Sequence, residues 1–287
     1  MTLSYNNKIE KMTNKDYILP FMISNQTANG RIVCLNESVQ KIISLHEYPK
    51  AVSNLLAELL VVSCFLGQNL KKEGTITCQI QSKDGLIRLL VTEYMYGGGI
   101  RGYAGFEEAK FTKENYSFQE LIGSGQLVVT FESGEEKYQG IIELGSESLA
   151  KSFESYLGKS EQIKSVVSIA IKETNILDER NISANGIILK KMPSDDEDAF
   201  VTFTHFIKSV SKEELLETDS EELLKRLFHS DGVILYDKSE VHFKCRCDRA
   251  KMENALSAIP KNELESLKVD GKIVIKCQFC SNEEFFE

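Results

Sequence analysis

Two closely spaced cysteine pairs near the C-terminal end constrain this chain more than any other feature of its sequence. Cys245 and Cys247 follow one short strand-like run, Cys277 and Cys280 follow another, and 29 residues separate the two pairs. Zinc takes four soft ligands at the corners of a tetrahedron, and two thiolates from each of two chain reversals supply them. The spacing therefore predicts a small C-terminal module in which Cys245, Cys247, Cys277 and Cys280 bind one zinc ion.

The remaining cysteines and one histidine need a separate interpretation. Cys34, Cys64 and Cys78 stand singly in apolar or strand-like runs, where a free cysteine behaves as a small hydrophobic residue. We expect these three to be buried and to take no part in metal chemistry. His242, three residues before Cys245, is either a substitute zinc ligand or an exposed strand residue.

The charge of the chain restricts its partners. The 287 residues carry 34 basic and 43 acidic side chains, a net charge of −9, and residues 194–231 alone hold 11 acidic against 4 basic residues. Such a chain lacks the basic field that attracts nucleic acids or anionic lipids. Met1 to Tyr17 has no apolar stretch of signal-peptide length, and Leu55 to Leu66 is far shorter than the roughly 20 residues of a membrane helix. We expect a cytoplasmic protein that binds neither nucleic acid nor membranes.

A glycine-rich run offers a nucleotide-binding alternative. Gly97-Gly98-Gly99-Ile100-Arg101-Gly102 matches the dinucleotide-binding pattern G-x-G-x-x-G, but the residues that follow do not resemble the start of a phosphate-binding helix. A sharply turning loop is the better interpretation. The sequence contains no G-x-x-x-x-G-K-[ST] motif, so nothing predicts the use of ATP, and no catalytic residues are predicted.

Local patterns predict the elements of a first domain. A dense apolar run from Pro49 to Leu70 predicts a helix that is buried on most sides. Ser82-Lys83-Asp84-Gly85, with a glycine suited to positive φ, and Glu132-Ser133-Gly134-Glu135 each separate two strand-like runs, which predicts two β-hairpins. The fold class is therefore α+β, built on a mainly antiparallel sheet.

A change of composition at Met192-Pro193 divides the chain. We expect an α+β domain over residues 1–193, an acidic amphipathic helical linker over 194–241, and the four-cysteine zinc module over 242–287. Two capping boxes, Ser211 with Glu214 and Thr218 with Glu221, predict short helices in the linker. Helices this short are marginal alone, so their apolar face must dock on another part of the protein. This docking face is predicted to consist of Leu223, Leu224, Leu227 and Phe228.

These features together resemble a known family, the redox-regulated 33 kDa heat-shock chaperones of bacteria. The pairing of C-x-C with C-x-x-C is the hallmark of the family, and further matches extend along essentially the whole chain. They are Glu47-Tyr48-Pro49 before Leu55-Leu56-Ala57-Glu58, Ile100-Arg101-Gly102-Tyr103-Ala104, Tyr156 with Ser160-Glu161-Gln162, and Met192-Pro193. Two departures are the run Asp248-Arg249-Ala250-Lys251 after the first cysteine pair, and Glu284 where an aromatic residue is expected.

The resemblance implies an ATP-independent chaperone, or holdase, rather than an enzyme. In this family the reduced, zinc-bound form is inactive. Oxidation pairs neighbouring cysteines, releases zinc, unfolds the zinc module and the linker, and exposes apolar surface for unfolding client proteins, and the active form is associated with dimerisation. Applied to this chain, the redox disulfides involve Cys245, Cys247, Cys277 and Cys280. A zinc-ribbon nucleic-acid-binding protein and a thiol-disulfide oxidoreductase are the alternative functions.

Overall fold

The computed structural model describes residues 15–286, apart from 68, 69, 71, 72, 146, 177, 178, 195, 269 and 270. Most of the segment Met1 to Tyr17, in which we expect no signal peptide, lies outside the described residues. The chain divides into two compact units, Met1–Phe243 and Lys244–Glu287, and each is described by itself. The predicted linker, residues 194–241, falls within the first unit, and its separate functional role stays a prediction.

The first unit is an α+β structure with two β-sheets. The first sheet has the order β10-β1-β2-β9-β8, with β11 also paired to β1, and the second has the order β12-β5-β4-β3-β6-β7. Among the described strands, neighbours are antiparallel except for β12, which runs parallel to β5. Both predicted hairpins are confirmed, as β3–β4 and β6–β7. The strands are β1 (Tyr17–Ile23), β2 (Ala28–Leu35), β3 (Thr75–Ser82), β4 (Ile87–Met95), β5 (Gly99–Phe106), β6 (Gly125–Ser133), β7 (Glu136–Leu144), β8 (Ser165–Ile176), β9 (Glu179–Lys191), β10 (Val233–Leu235), β11 (Ser239–Glu240) and β12 (His242–Phe243).

The helices of the first unit cover both faces of the first sheet. They are α1 (Glu37–Ile43), α2 (Lys50–Gly67), α3 (Phe118–Ile122), α4 (Leu149–Lys159), α5 (Glu197–Ser209), α6 (Lys212–Glu217) and α7 (Ser220–Leu227). Helix α2 packs in an apolar core that also contains Val33 and Ile188 from the first sheet and Ile76 and Leu90 from the second. On the opposite face of the first sheet, α5, α6 and α7 contribute to a second core.

Helix α2 confirms the prediction of a helix that is buried on most sides. By length and composition alone it could cross a membrane, but 78% of this 18-residue segment is buried inside the fold. The Arg31 guanidinium donates a hydrogen bond of 2.8 Å to the Phe65 carbonyl, and so satisfies an orphan acceptor in the last turn. Packing in the core therefore accounts for its apolar sequence.

Two local predictions are corrected by the structure. Ser211 and Glu214 do form a capping box at the start of α6, but Thr218 ends that helix, and the side chain of Asp219 caps α7 by accepting from the amides of Glu221 and Glu222. Threonine and aspartate both favour N-cap positions, and the two candidates are adjacent in the chain.

The second correction concerns Gly85, which does not have positive φ. A Cβ there would lie 2.4 Å from the Leu121 carbonyl oxygen, so close packing explains this glycine.

The corrected cap gives a testable difference between two neighbours. Replacing Asp219 by alanine is expected to destabilise α7 by about 1 kcal/mol, because two amide donors lose their acceptor. Thr218→Ala is the matched control and should change protection of α7 very little. Amide hydrogen exchange over residues 219–228 measures both effects, and equal loss of protection in the two variants would contradict the assignment.

The second unit is small. Its elements are α8 (Arg249–Ser257), α9 (Lys261–Ser266), β13 (Ile273–Lys276) and β14 (Glu283–Phe286), and the two strands pair antiparallel. Its buried apolar core, within the described residues of this unit, consists of Met252, Ile273 and Phe286. A core of this size supplies little free energy against the entropy of ordering the chain. The unit therefore needs a further source of stability.

Candidate metal centre

The two cysteine pairs lie in two chain reversals of the second unit. Cys245 and Cys247 precede α8, while Cys277 and Cys280 lie in the turn that joins β13 to β14. In this turn the Cys277 amide donates to the Asn282 carbonyl at 2.8 Å, and the Ser281 amide donates to the Cys277 carbonyl at 2.8 Å. Ser281 adopts φ 58, in the left-handed region. The turn thus holds Cys277 and Cys280 within a single chain reversal.

The structure brings the four predicted ligands together. Their Sγ atoms all lie within 4.8 Å of one another. Cys245 and Cys277 are separated by 3.8 Å and Cys247 and Cys280 by 3.3 Å, each between Sγ atoms. Four sulfurs placed about 2.3 Å from a zinc ion at tetrahedral corners lie about 3.8 Å apart. The donor set and its spacing therefore fit a four-thiolate metal site.

A bound cation would change the ionisation of the clustered thiols. Burial, followed by the neighbouring cysteine sulfurs, raises the pKa of the Cys247 thiol. Crowded thiolates repel one another unless a positive charge lies between them, and a coordinated thiol loses its proton outright. His242 is an exposed residue of β12, and the candidate metal group within the described part of the chain consists of the four cysteines.

The residues that depart from the family pattern contact one another around the site. The Asp248 carboxylate accepts from the Lys251 amide at 2.8 Å and caps α8. Arg249 forms an ion pair of 3.1 Å with Glu284 and lies 4.5 Å above the centre of the Phe286 ring. The ion pair is exposed and contributes little stability, but it joins the start of α8 to β14. The two departures thus contact each other through this ion pair.

The other three cysteines are buried in the first unit, as the sequence predicts. Cys34 is 6% exposed, and Cys64 and Cys78 are fully buried. Burial raises the pKa of all three thiols, that of Cys78 to about 12. Because the thiolate is the reactive species, these cysteines are poor targets for oxidants in the folded protein.

Replacing Cys34, Cys64 and Cys78 together by alanine is expected to leave any response of the protein to oxidants intact. The variant should be less stable, by roughly 1 to 3 kcal/mol in total, because small cavities replace the sulfurs. Alanine avoids the buried hydroxyl groups that serine would introduce. Zinc release and activity measured against peroxide dose provide the check, and a folded triple variant that no longer responds would contradict the assignment.

The predicted docking face lies in the second core of the first unit. Leu223 is 4% exposed and Leu224 and Phe228 are fully buried, whereas Leu227 packs against this core from a partly buried position. The ring of Phe228 lies 5.5 Å from that of Phe203 and 6.1 Å from that of Phe21. Helix α7 and Phe228, the residue that follows it, therefore pack on the first sheet through these side chains.

Sequence reasoning missed the polar contacts under the linker. The Ser220 hydroxyl lies 2.8 Å from the Tyr17 hydroxyl and 3.4 Å from the Cys34 sulfur. The Asn185 amide donates to the Leu215 carbonyl at 2.9 Å, so it satisfies a backbone acceptor of α6. These partners are between 30 and 203 residues apart. Local sequence patterns therefore cannot predict their contacts.

The glycine-rich run is a turn, as expected. Gly97 and Gly98 have positive φ, and the residues after them form β5 rather than a helix. A nucleotide-binding motif needs the helix N-terminus that follows the glycines. This run therefore does not have the geometry of the dinucleotide-binding motif.

Comparison with known proteins gives one consistent result. A family model described as Hsp33 protein matches residues 16–287. Proteins named 33 kDa chaperonin from Yersinia pestis and Yersinia pseudotuberculosis are each 32% identical over 280 residues, which covers 96% of this chain and 94% of theirs. The crystal structure of the 33 kDa chaperonin, a heat shock protein 33 homolog, from Thermotoga maritima has the same fold, with a TM-score of 0.80, 22% identity and 94% of each chain covered. On the family match and the identity to these relatives, the chain belongs to the Hsp33 family of chaperones.

Proposed function

We propose that this protein is a redox-regulated, ATP-independent holdase of the cytoplasm, which binds unfolding proteins under oxidative stress. The reduced form binds zinc and is inactive, and the oxidised form is active and dimerises. In this proposal residues 1–193 are the chaperone domain, 194–241 the regulatory linker and 242–287 the redox switch. The observation that carries the proposal is the cluster of four cysteine sulfurs in a unit with a very small apolar core.

Zinc is the metal that this donor set favours. Four thiolates at tetrahedral spacing are characteristic of structural zinc sites. A bound zinc ion would supply a structural tie between Cys245 and Cys247 on one side and Cys277 and Cys280 on the other. Such ties contribute about 10 to 16 kcal/mol to the folding of small modules. The second unit is therefore expected to be folded only while all four sulfurs remain ligands.

Oxidation would remove the ligands and the tie together. In each pair one thiolate attacks hydrogen peroxide, forms a sulfenic acid and releases hydroxide, and the second thiolate then displaces the hydroxyl group from that sulfur. The sulfurs lose two electrons, the peroxide gains them, and with two protons the products are one disulfide and two waters. A disulfide between neighbours closes a loop of three or four residues, worth under about 2 kcal/mol, whereas closure across the module is worth roughly 3 to 4 kcal/mol.

The pairing of the cysteines decides whether oxidation unfolds the module. In the structure, sulfurs from different pairs also lie close together, Cys245 to Cys277 at 3.8 Å and Cys247 to Cys280 at 3.3 Å. Disulfides across the module would preserve the long-range tie and oppose activation. The proposal therefore requires Cys245–Cys247 and Cys277–Cys280 disulfides, and peptide mapping of the oxidised protein by mass spectrometry tests this requirement.

The decisive experiment measures zinc content and suppression of client aggregation in the same samples, before and after peroxide treatment with mild heat. The holdase should contain about one equivalent of zinc when reduced, then lose it and begin to suppress aggregation. A purely structural zinc site would keep its metal and remain without activity. A thiol-disulfide oxidoreductase would contain no metal, and either of these results would refute the proposal.

A further inference from the structure

Residues 239–243, here called the bridging segment, lie on the outer edges of both sheets of the first unit. Its first part, β11, pairs antiparallel with Tyr17 and Ile18 of β1. Its second part, β12, pairs parallel with Gly99 and Ile100 of β5. On their other sides β1 pairs with β2 and β5 pairs with β4. The bridging segment therefore covers the edge of β1 at Tyr17 and Ile18 and the edge of β5 at Gly99 and Ile100, while β10 covers the same edge of β1 further along, from Phe21 to Ile23.

Main-chain groups hold the bridging segment at these edges. The Val241 amide donates to the Asp16 carbonyl at 3.0 Å, and the His242 amide donates to the Gly98 carbonyl at 2.9 Å. A Cβ at Gly98, which has φ +89, would lie 2.0 Å from the Glu240 carbonyl oxygen. The absence of a side chain at Gly98 is thus what allows the two backbones to meet.

The side chains of the bridging segment alternate in burial. Val241 is 5% exposed and joins the main core, and Phe243 packs against this core from a partly buried position. Glu240 and His242 are exposed, and Lys15 forms an ion pair with Glu240 at 3.3 Å. Backbone pairing combined with pockets for alternate apolar side chains is the recognition mode of strand addition.

We propose that the bridging segment occupies a client-binding site, and that an extended segment of an unfolding protein takes its place on the edges of β1 and β5. The inference rests on the proposed holdase function. The partner is an extended polypeptide with apolar residues at alternate positions, next to an acidic or polar residue that Lys15 can contact. Pairing through main-chain groups tolerates many sequences, which suits a chaperone.

Release of the segment would create this site. The bridging segment ends at Phe243, two residues before Cys245. Unfolding of the second unit therefore removes the ordered chain directly beyond it. The carbonyls of Asp16 and Gly98 then lose their donors, and an extended client would supply new ones.

The test uses reduced, zinc-loaded full-length protein, so it does not depend on oxidation. In Val241→Asp a buried anchor becomes charged, and the bridging segment should be released, whereas His242→Asp changes an exposed neighbour and is the matched control. The probe is a fluorescent peptide with the sequence of residues 236–244. We expect it to bind the Val241→Asp protein at least about tenfold more tightly than the wild type or the control. The same peptide carrying Val241→Asp should not bind.

Alanine variants of two neighbouring glycines test where the peptide binds. Gly97→Ala and Gly98→Ala each place alanine at positive φ, but a Cβ at Gly97 meets nothing within 4 Å. In the Val241→Asp background, Gly98→Ala should weaken peptide binding at least about tenfold and Gly97→Ala should leave it nearly unchanged. Equal binding by both glycine variants would overturn the inference.

Oxidised wild-type protein provides an independent test, which remains valid if Val241→Asp fails to fold. The peptide should bind this form and displace an unfolded client. Aggregation suppression without peptide binding would refute the proposed strand site but not the proposed holdase function. Peptide binding by the reduced Val241→Asp protein, without chaperone activity after oxidation, would support the site and refute the holdase.

Discussion

Replacing Cys277 and Cys280 together by serine is expected to abolish zinc binding and to unfold residues 244–287, while strands β1 to β9 of the first unit stay folded. The reason is that zinc binding is expected to supply most of the stability of the second unit. Its described apolar core is only Met252, Ile273 and Phe286, whereas a structural zinc ion contributes about 10 to 16 kcal/mol to folding. Amide hydrogen exchange should show full loss of protection in α8, β13 and β14. Metal analysis of the same sample should give less than half an equivalent of zinc.

The matched control removes two cysteines that are not predicted ligands. Cys34→Ala with Cys78→Ala should retain one equivalent of zinc and normal protection of the second unit. Zinc retained by the Cys277→Ser and Cys280→Ser protein would show that the four sulfurs are not the metal site. Protection that survives zinc loss would show that the small core is sufficient to fold the unit.

Replacing Phe228 by aspartate is expected to undock the linker and to give aggregation-suppressing activity in fully reduced, zinc-loaded protein. Phe228 is fully buried and packs on Phe203 and Phe21. Removing a buried phenylalanine costs about 3 to 5 kcal/mol, and a buried unpaired carboxylate adds to this cost. Because helices as short as α6 and α7 are not stable alone, the whole linker should exchange rapidly. Leu227→Asp should act in the same direction with a smaller effect, since Leu227 is only partly buried.

The control separates the loss of packing from the added charge. Val201 of α5 is 52% exposed, so Val201→Asp adds the same charge to the acidic segment without removing a buried contact. This variant should remain inactive and protected. Rapid exchange over residues 196–231 in Phe228→Asp without activity would show that undocking is not sufficient. Unchanged exchange would show that Phe228 does not hold the linker.

The features that sequence reasoning predicted correctly are local in the chain. The Ser211 and Glu214 capping box involves residues three apart, and each hairpin joins adjacent runs across a short turn. The dense apolar run of α2 can be satisfied only by burial on most sides. The cysteine pairs also act locally, because each pair presents two ligands from a single chain reversal.

The errors arose where a competing contact decided between close alternatives. Thr218 and Asp219 are both good N-cap residues, and only the path of the chain after α6 places the carboxylate of Asp219 against the amides of α7. At Gly85 the residue type suggested positive φ, but the nearby carbonyl of Leu121 is the actual constraint. At both positions the local sequence does not distinguish the alternatives, and tertiary packing selects between them.

The sequence by itself determined the family, the α+β class and the four cysteines that meet in the second unit, because each depends on residue types at fixed short spacings. The tertiary structure alone decided which strands became neighbours. Pairing of residues 239–243 with both β1 and β5, and the contact of Ser220 with Tyr17, join residues more than 140 positions apart. Such contacts form when apolar surfaces pack and bring strand edges and hydroxyl groups next to one another. The pattern of residues along the chain does not predict them.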